Sequence, residues 1–364
     1  METRSRSFVK AVIWGATGLI VMALVGGVAT GSVAVGGAVA LINTGIGLVM
    51  YVAYERIWSR IGWGGMSERG RHGVEWLTLA LIVACYGGWA LALFWLADFS
   101  LGLAMLVTGV AVAFYSSLTH EVLHGHPFAS KALNEALVFL PLNLVIPYNR
   151  FRDQHLAHHR DSNLTDPYDD PESNYLDPAV WRGMPGWKQR IYRANNTLLG
   201  RILLGPGLGQ SCFFAEEWRA ALGGDRAVWL AWALHLSGLV IVLWLVVWSP
   251  VPVWAYVIAA YLGLGLTKIR SFLEHRAHAT VRGRTAIVED RGILAFLFLN
   301  NNLHVVHHMN PKAPWYRLPR LYRDAKQRYQ ACNGGYVFRS YGQVFRQYFL
   351  RAKDPVEHPL WHKG

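Results

Sequence analysis

Most of the 15 histidines in this 364-residue chain stand in four tight groups. The first is His120-Glu-Val-Leu-His124-Gly-His126 and the second His155-Leu-Ala-His158-His159. The third is Glu274-His275-Arg-Ala-His278 and the fourth His304-Val-Val-His307-His308. On a helix, residues three or four apart share a face, so each group can aim two or three imidazoles at a common point. A lone histidine at such a spacing is usually a surface or core residue. Four groups, two of them repeating H-x-x-H-H, point instead to bound metal. Zinc takes three or four ligands in a tetrahedral site, so eight or nine imidazoles exceed what one zinc can use. Two ions of higher coordination number suit the rings available, and imidazole suits iron. Soluble di-iron bundles rely on Glu and Glu-x-x-His, whereas here the donors are almost all histidine.

Two positions leave alternatives open. His126 can replace His124 if the first group follows the longer spacing, although the i, i+4 geometry of His120 and His124 favours the shorter one. His278 lies one turn beyond His275 and can instead meet substrate or pack in the core. His235 sits alone in an apolar stretch, where a polar group is functional or bonded to a neighbouring helix; His72, His358 and His362 read as surface residues. A ligating imidazole donates its other N–H to a carboxylate or carbonyl. Glu121, Asp153, Asp161 and Glu274 flank the groups and are candidates for that role, Glu274 and Asp161 foremost. The acidic, proline-rich stretch from Leu164 to Glu172 reads as an ordered loop beside the site or as a docking patch.

The elements that must position these residues are membrane helices. The chain is 53% hydrophobic and 16% charged, against about 25% charged in soluble domains, which excludes disorder. Cys85, Cys212 and Cys332 are isolated from one another, which excludes a disulfide-stapled module and a CxxC redox or zinc pair. Residues 11–54 carry no charge and are long enough for two spans; residues 76–97 and 99–119 form two more about an Asp98-Phe99-Ser100 turn. Residues 227–267 hold another pair, broken by Ser249-Pro250-Val251-Pro252. With six spans in three hairpins, all 35 Lys and Arg fall on one side, which makes that side cytoplasmic. The net charge of +12 thus reads as orientation rather than nucleic-acid binding. A cleaved signal peptide is the competing reading of Arg4, Arg6, Lys10 and the apolar run behind them; the second uncharged span that follows at once favours a hairpin. Gly27-x-x-x-Gly31 is ordinary for membrane helices. Residues 133–148, with Pro141 and Pro147, read as lying along the interface or re-entering, and residues 213–222 as a short amphipathic surface helix.

The expected fold is therefore all-α: a polytopic bundle of about six spans with a cytoplasmic helical cap holding a histidine-rich di-metal site. It divides into a two-helix membrane hairpin (residues 1–62), a main domain (76–350) and a C-terminal tail (351–364). Residues 8–62, ending in Tyr54-Glu55-Arg56-Ile57-Trp58, resemble a small family of two-helix bacterial membrane proteins of unknown function.

Over residues 76–350 the order HxxxH, HxxHH and a late HxxHH, placed against the spans, resembles the membrane fatty acid desaturase and hydroxylase superfamily. The resemblance implies that His120 and His124 form the first box, His155, His158 and His159 the second, and His304, His307 and His308 the third. His275 stands where that family has an additional ligand. It further implies two iron ions, dioxygen as co-substrate and an acyl chain or other amphiphile as substrate, desaturation being favoured over hydroxylation. An unactivated C–H bond has no acidic proton or leaving group, so acid–base groups alone cannot attack it and a metal–dioxygen oxidant is required. The chain has no flavin, nicotinamide, haem or iron–sulfur signature, so electrons must come from a ferredoxin-like or other acidic carrier at the basic face. The expected location is the bacterial inner membrane with termini and active site cytoplasmic. A non-catalytic metal carrier is the reading from another class; it wants ionisable ligands along a path through the spans, where only His235 qualifies.

Overall fold

The computed structural model describes Ser32, residues 73–160 and residues 164–361. The predicted N-terminal hairpin, His72, Asp161 and His362 lie outside the described residues. The chain divides into two units, Met1–Val74 and Glu75–Gly364, and all four histidine groups belong to the second.

Each uncharged stretch of this second unit becomes a helix or the greater part of one. α1 (Trp76–Phe99) and α2 (Leu101–Leu123) are joined at Ser100, whose hydroxyl accepts the Leu103 N–H and caps α2. Beyond α2 come a short α3 (Lys131–Leu137), an irregular stretch, and α4 (Tyr148–His158). α5 (Leu198–Leu222) is capped by Thr197, and α6 (Arg226–Trp248) by Asp225. Pro252 precedes α7 (Val253–Glu274), and α8 (His304–Met309) is one and a half turns. Two residue pairs, Ile287–Val288 (β1) and Val337–Phe338 (β2), form a small parallel ladder in an otherwise helical unit.

Three of these helices, α1, α2 and α6, are long and apolar enough to cross a membrane. The stretch read as the last span is the apolar part of α7, whose final turns carry Lys268, Arg270 and Glu274 toward the histidines. α5 also exceeds its expectation. Residues 213–222 are only its C-terminal part, and the helix continues through Pro206 with the Ile202 carbonyl set close against Gly265 of α7.

α2 and α7 pack backbone to backbone. A Cβ on Gly263 would sit 2.5 Å from the Gly109 carbonyl oxygen, and one on Gly109 would sit 3.1 Å from that of Ala259. Small residues permit such an approach between apolar helices, and the two helices it joins carry His120, His124 and His275. Gly263→Leu is expected to destabilise the protein by about 1–3 kcal/mol through overpacking, read as a lower Tm in detergent; an unchanged Tm would refute the close contact.

Residues 138–147 are the irregular segment, wedged among α1, α2, α6 and α7. Their alternate carbonyls are each taken by a side chain from a long helix. The Tyr115, Tyr86 and Tyr256 hydroxyls donate to Val138, Leu140 and Leu142 at 2.8, 3.3 and 3.0 Å. His235 Nε2 donates to Leu144 at 2.9 Å. Irregular backbone packed among apolar helices needs partners for its polar groups, and this ladder supplies them. It also explains His235: a neighbouring backbone carbonyl, rather than a metal, holds it.

The C-terminal tail folds back into the unit. Leu176 and the tail exchange backbone hydrogen bonds at Val356 and His358, the Tyr175 hydroxyl meets Asp354 at 2.7 Å, and Lys353 Nζ donates to the His275 carbonyl at 2.7 Å. His358 is accordingly buried, its Nε2 3.2 Å from the Thr165 hydroxyl. The surface assignment for His358 is therefore corrected; the tail that carries it is packed, not free.

Candidate metal centre

Four elements deliver the histidines. The last turn and C-cap of α2 provide His120 and His124, and α4 with its C-cap provides His155, His158 and His159. The C-cap of α7 provides His275, and α8 provides His304, His307 and His308. They gather in two groups: His120, His124, His155, His159 and His307 in one, and His158, His275, His304 and His308 in the other. Within each group the ligand-bearing atoms all lie within 4.8 Å of one another.

The division follows from helix geometry. Residues four apart lie nearly in line on a helix, and adjacent residues are about 100° apart. In α4, His155 and His159 therefore face the first group while His158 turns to the second. In α8 the split is reversed: His304 and His308 face the second group and His307 the first. Two copies of one motif thus serve two positions in complementary fashion.

Ring orientation is set from behind. His155 Nδ1 is 2.7 Å from Glu172, His158 Nδ1 is 2.7 Å from Asp170, and His304 Nδ1 is 3.1 Å from the Asn301 side-chain oxygen. Each acceptor calls for N–H at Nδ1 and leaves the Nε2 lone pair pointing inward. Inside, Nε2 atoms meet Nε2 atoms: His158 to His275 at 2.9 Å, His275 to His304 at 3.1 Å, and His155 to His159 at 3.0 Å. The Nε2 atoms of His120 and His124 are buried without any hydrogen-bond partner. Converging lone pairs in a buried space repel unless a cation lies between them, so the donor set fits metal.

Electrostatics agree. Burial first, then the neighbouring imidazoles, holds His124, His304, His307 and His308 well below the ordinary histidine range. The same causes bring His159 and His275 down to about 3. These rings are neutral near pH 7, as ligation requires. His158 is the exception: burial pushes it down, but Glu172 and Asp170 outweigh that and raise it to about 9. Burial alone raises Asp170 and Glu172, yet the facing imidazoles and, for Asp170, the Thr165 and Glu172 N–H groups hold both below the usual carboxylate range.

The other candidates are distributed unevenly. Glu274 Oε1 stands 3.6 Å from His304 Nδ1 and accepts from Asn301 at 3.4 Å. Asp153 departs from its expected role. Two residues before His155, it lies on another face of α4, is half-exposed and pairs with Arg152 at 2.8 Å. Glu121 accepts the Trp315 N–H at 2.9 Å and stands 3.7 Å from His126 Nε2. His126 belongs to neither group, nor does His278, whose Nδ1 takes the Thr280 N–H and hydroxyl at 3.1 and 3.0 Å. Sequence reasoning misses Asp170, Glu172 and Asn301. The only signal for the first two is their place in the acidic loop read as lying beside the site.

Apolar helices able to cross a membrane, converging on buried imidazoles in two groups, define a membrane protein with a histidine-rich site able to hold two metal ions. Residues 97–340 match the fatty acid desaturase family, and the chain belongs to that family, which makes it an oxidoreductase of the desaturase and hydroxylase type. Residues 8–59 match a family described as predicted membrane protein (DUF2061). No curated protein matches the chain.

Proposed function

We propose that this protein is a di-iron, dioxygen-dependent desaturase that introduces a double bond into an acyl chain or lipid of the bacterial inner membrane. The observation that carries the reading is the division of nine imidazoles into groups of five and four, a nitrogen-rich donor set that suits iron. His120, His124, His155, His159 and His307 would hold one ion, and His158, His275, His304 and His308 the other. When bound, the pair supplies, with dioxygen and electrons from another protein, the power to remove hydrogen from an unactivated C–H bond. The chain supplies placement and dryness.

A cavity of about 210 Å³ lies among Tyr115, Phe139, Tyr148, Ala231 and Leu234. Tyr115 precedes His120 by five residues on α2, and Tyr148 precedes His155 by seven on α4, so the cavity opens one to two turns from the histidines. This apolar space suits part of an acyl chain. Ala231→Phe should fill it, lower turnover by at least tenfold or move the position of the new double bond, and leave two irons in place. Unchanged product and rate would remove the cavity from the substrate path.

Six spans, with termini and site on the cytoplasmic side, follow from the confinement of Lys and Arg to alternate segments. That basic face suits an acidic, ferredoxin-like electron donor. The test of the reaction is product mass in a host of known lipids, with and without His159→Ala. Loss of two hydrogens means desaturation. Gain of one oxygen means that the same site hydroxylates, and unchanged lipids from a protein holding two irons would sink the lipid assignment.

A further inference from the structure

His158 and His304 each have an acceptor behind Nδ1, whereas His275 Nδ1 is buried without a hydrogen-bond partner. No polar group behind the ring orients it, so the hold on His275 must come through its backbone. His275 ends α7 in an extended conformation and faces Thr285 in an isolated antiparallel bridge. The bonds of that bridge run from the Arg276 N–H to Arg284 and from the Ala286 N–H to Glu274. The His275 carbonyl therefore points to the other side, where Lys353 Nζ donates to it at 2.7 Å.

Lys353 does not act alone. Its Nζ lies 2.9 Å from Asp354 Oδ2, and the same oxygen accepts the Tyr175 hydroxyl at 2.7 Å. The Tyr175 oxygen in turn accepts the Ala277 N–H at 2.9 Å. The His275 carbonyl and the Ala277 N–H, two residues apart, are thus the two ends of one hydrogen-bonded chain through Lys353, Asp354 and Tyr175. That chain is itself anchored: the Lys353 N–H donates to the Asn196 carbonyl at 3.0 Å, and the Asn196 side chain donates to the Asp354 carbonyl. The Lys353 side chain is only 8% exposed, so removing it leaves a carbonyl that water does not readily satisfy.

We propose that Lys353, Asp354 and Tyr175 form a positioning clamp that sets His275 and, through it, the four-ring group. The clamp rests on the proposed reading of that group as a metal position. Metal sites tolerate errors of about 0.5 Å in their ligands, and a group of four rings has fewer donors to spare than a group of five. The clamp accordingly acts on the second ion and spares the first. It also gives Lys353 and Asp354, which lie beyond the residues matched to the desaturase family, a part in the site.

The test is amide hydrogen exchange and chelator titration of the full-length protein in detergent. Lys353→Met keeps the length of the side chain and removes the donor. It should speed exchange across residues 275–277 in the metal-free protein and weaken one iron of two by about tenfold, leaving the other unchanged. Lys353→Arg keeps a donor and should restore both readouts. Val356→Ala, which loosens the packing of the tail but leaves the clamp, should lower Tm without either change. Unchanged exchange in Lys353→Met would overturn the clamp, as would equal weakening of both irons or the same two shifts in Val356→Ala. A wild type that binds no iron would sink the proposed function, while exchange in the metal-free protein would still decide whether Lys353 holds His275.

Discussion

His275→Ala should leave one iron per chain and abolish turnover. His275 sits at the C-cap of α7 with Nε2 2.9 Å from His158 and 3.1 Å from His304, in the middle of the four-ring group. Removing it leaves three donors and opens a gap between α4 and α8, whereas the five-ring group loses nothing. His124→Ala is the mirror case, removing one ring of five, so the first ion should be weakened rather than lost. Even the partner behind a ligand is worth about 10–100-fold in metal affinity or activity, so loss of the ligand itself should exceed 100-fold in turnover. Iron analysis beside a product assay reads both variants. His278→Ala is the control, because its ring bonds only within its own turn at Thr280 and should leave both irons and the rate intact. Retention of two irons and full activity by His275→Ala would break the division into five and four.

The legible and illegible parts of this molecule separate along a physical line. The histidine groups could be read because helical spacing is local: i, i+4 pairs share a face, and the sequence shows which residues those are. Charge-free stretches likewise mark α1, α2 and α6, since the membrane constrains every residue of a span. Partners brought together by the chain's return could not be read. Asp170 reaches His158 from twelve residues away and Asn301 reaches His304 from a non-helical turn. Asp153, the nearer carboxylate in sequence, turns away because two helical residues stand about 200° apart. His358 looks like a surface residue of a tail until Leu176 is found against it. The irregular segment at residues 138–147 was legible as a departure from a span through Pro141 and Pro147. The tyrosines that satisfy it lie on three different helices and could not be paired with it from spacing.

The contrast between Asp153 and Asp170 gives the other large effect. Asp170→Ala should weaken iron binding by about 10–100-fold, whereas Asp153→Ala should change it less than twofold. Asp170 is buried and bonded three ways: to His158 Nδ1 at 2.7 Å, to the Thr165 N–H at 2.7 Å and to the Glu172 N–H at 2.9 Å. Alanine leaves the Thr165 amide without its acceptor, a penalty of about 1–3 kcal/mol for a buried donor. It also frees His158 to turn or to carry its proton on Nε2, where the lone pair is needed. Because the same loop presents Glu172 to His155, loosening it should reach the first ion as well as the second. Asp170→Asn keeps the shape and one acceptor oxygen, so it should fall between wild type and alanine. Chelator titration of the purified, iron-loaded protein gives the affinities directly. If Asp170→Ala releases iron no faster than Asp153→Ala, the carboxylate behind His158 has no hold on the metal, and Glu172 alone must orient α4.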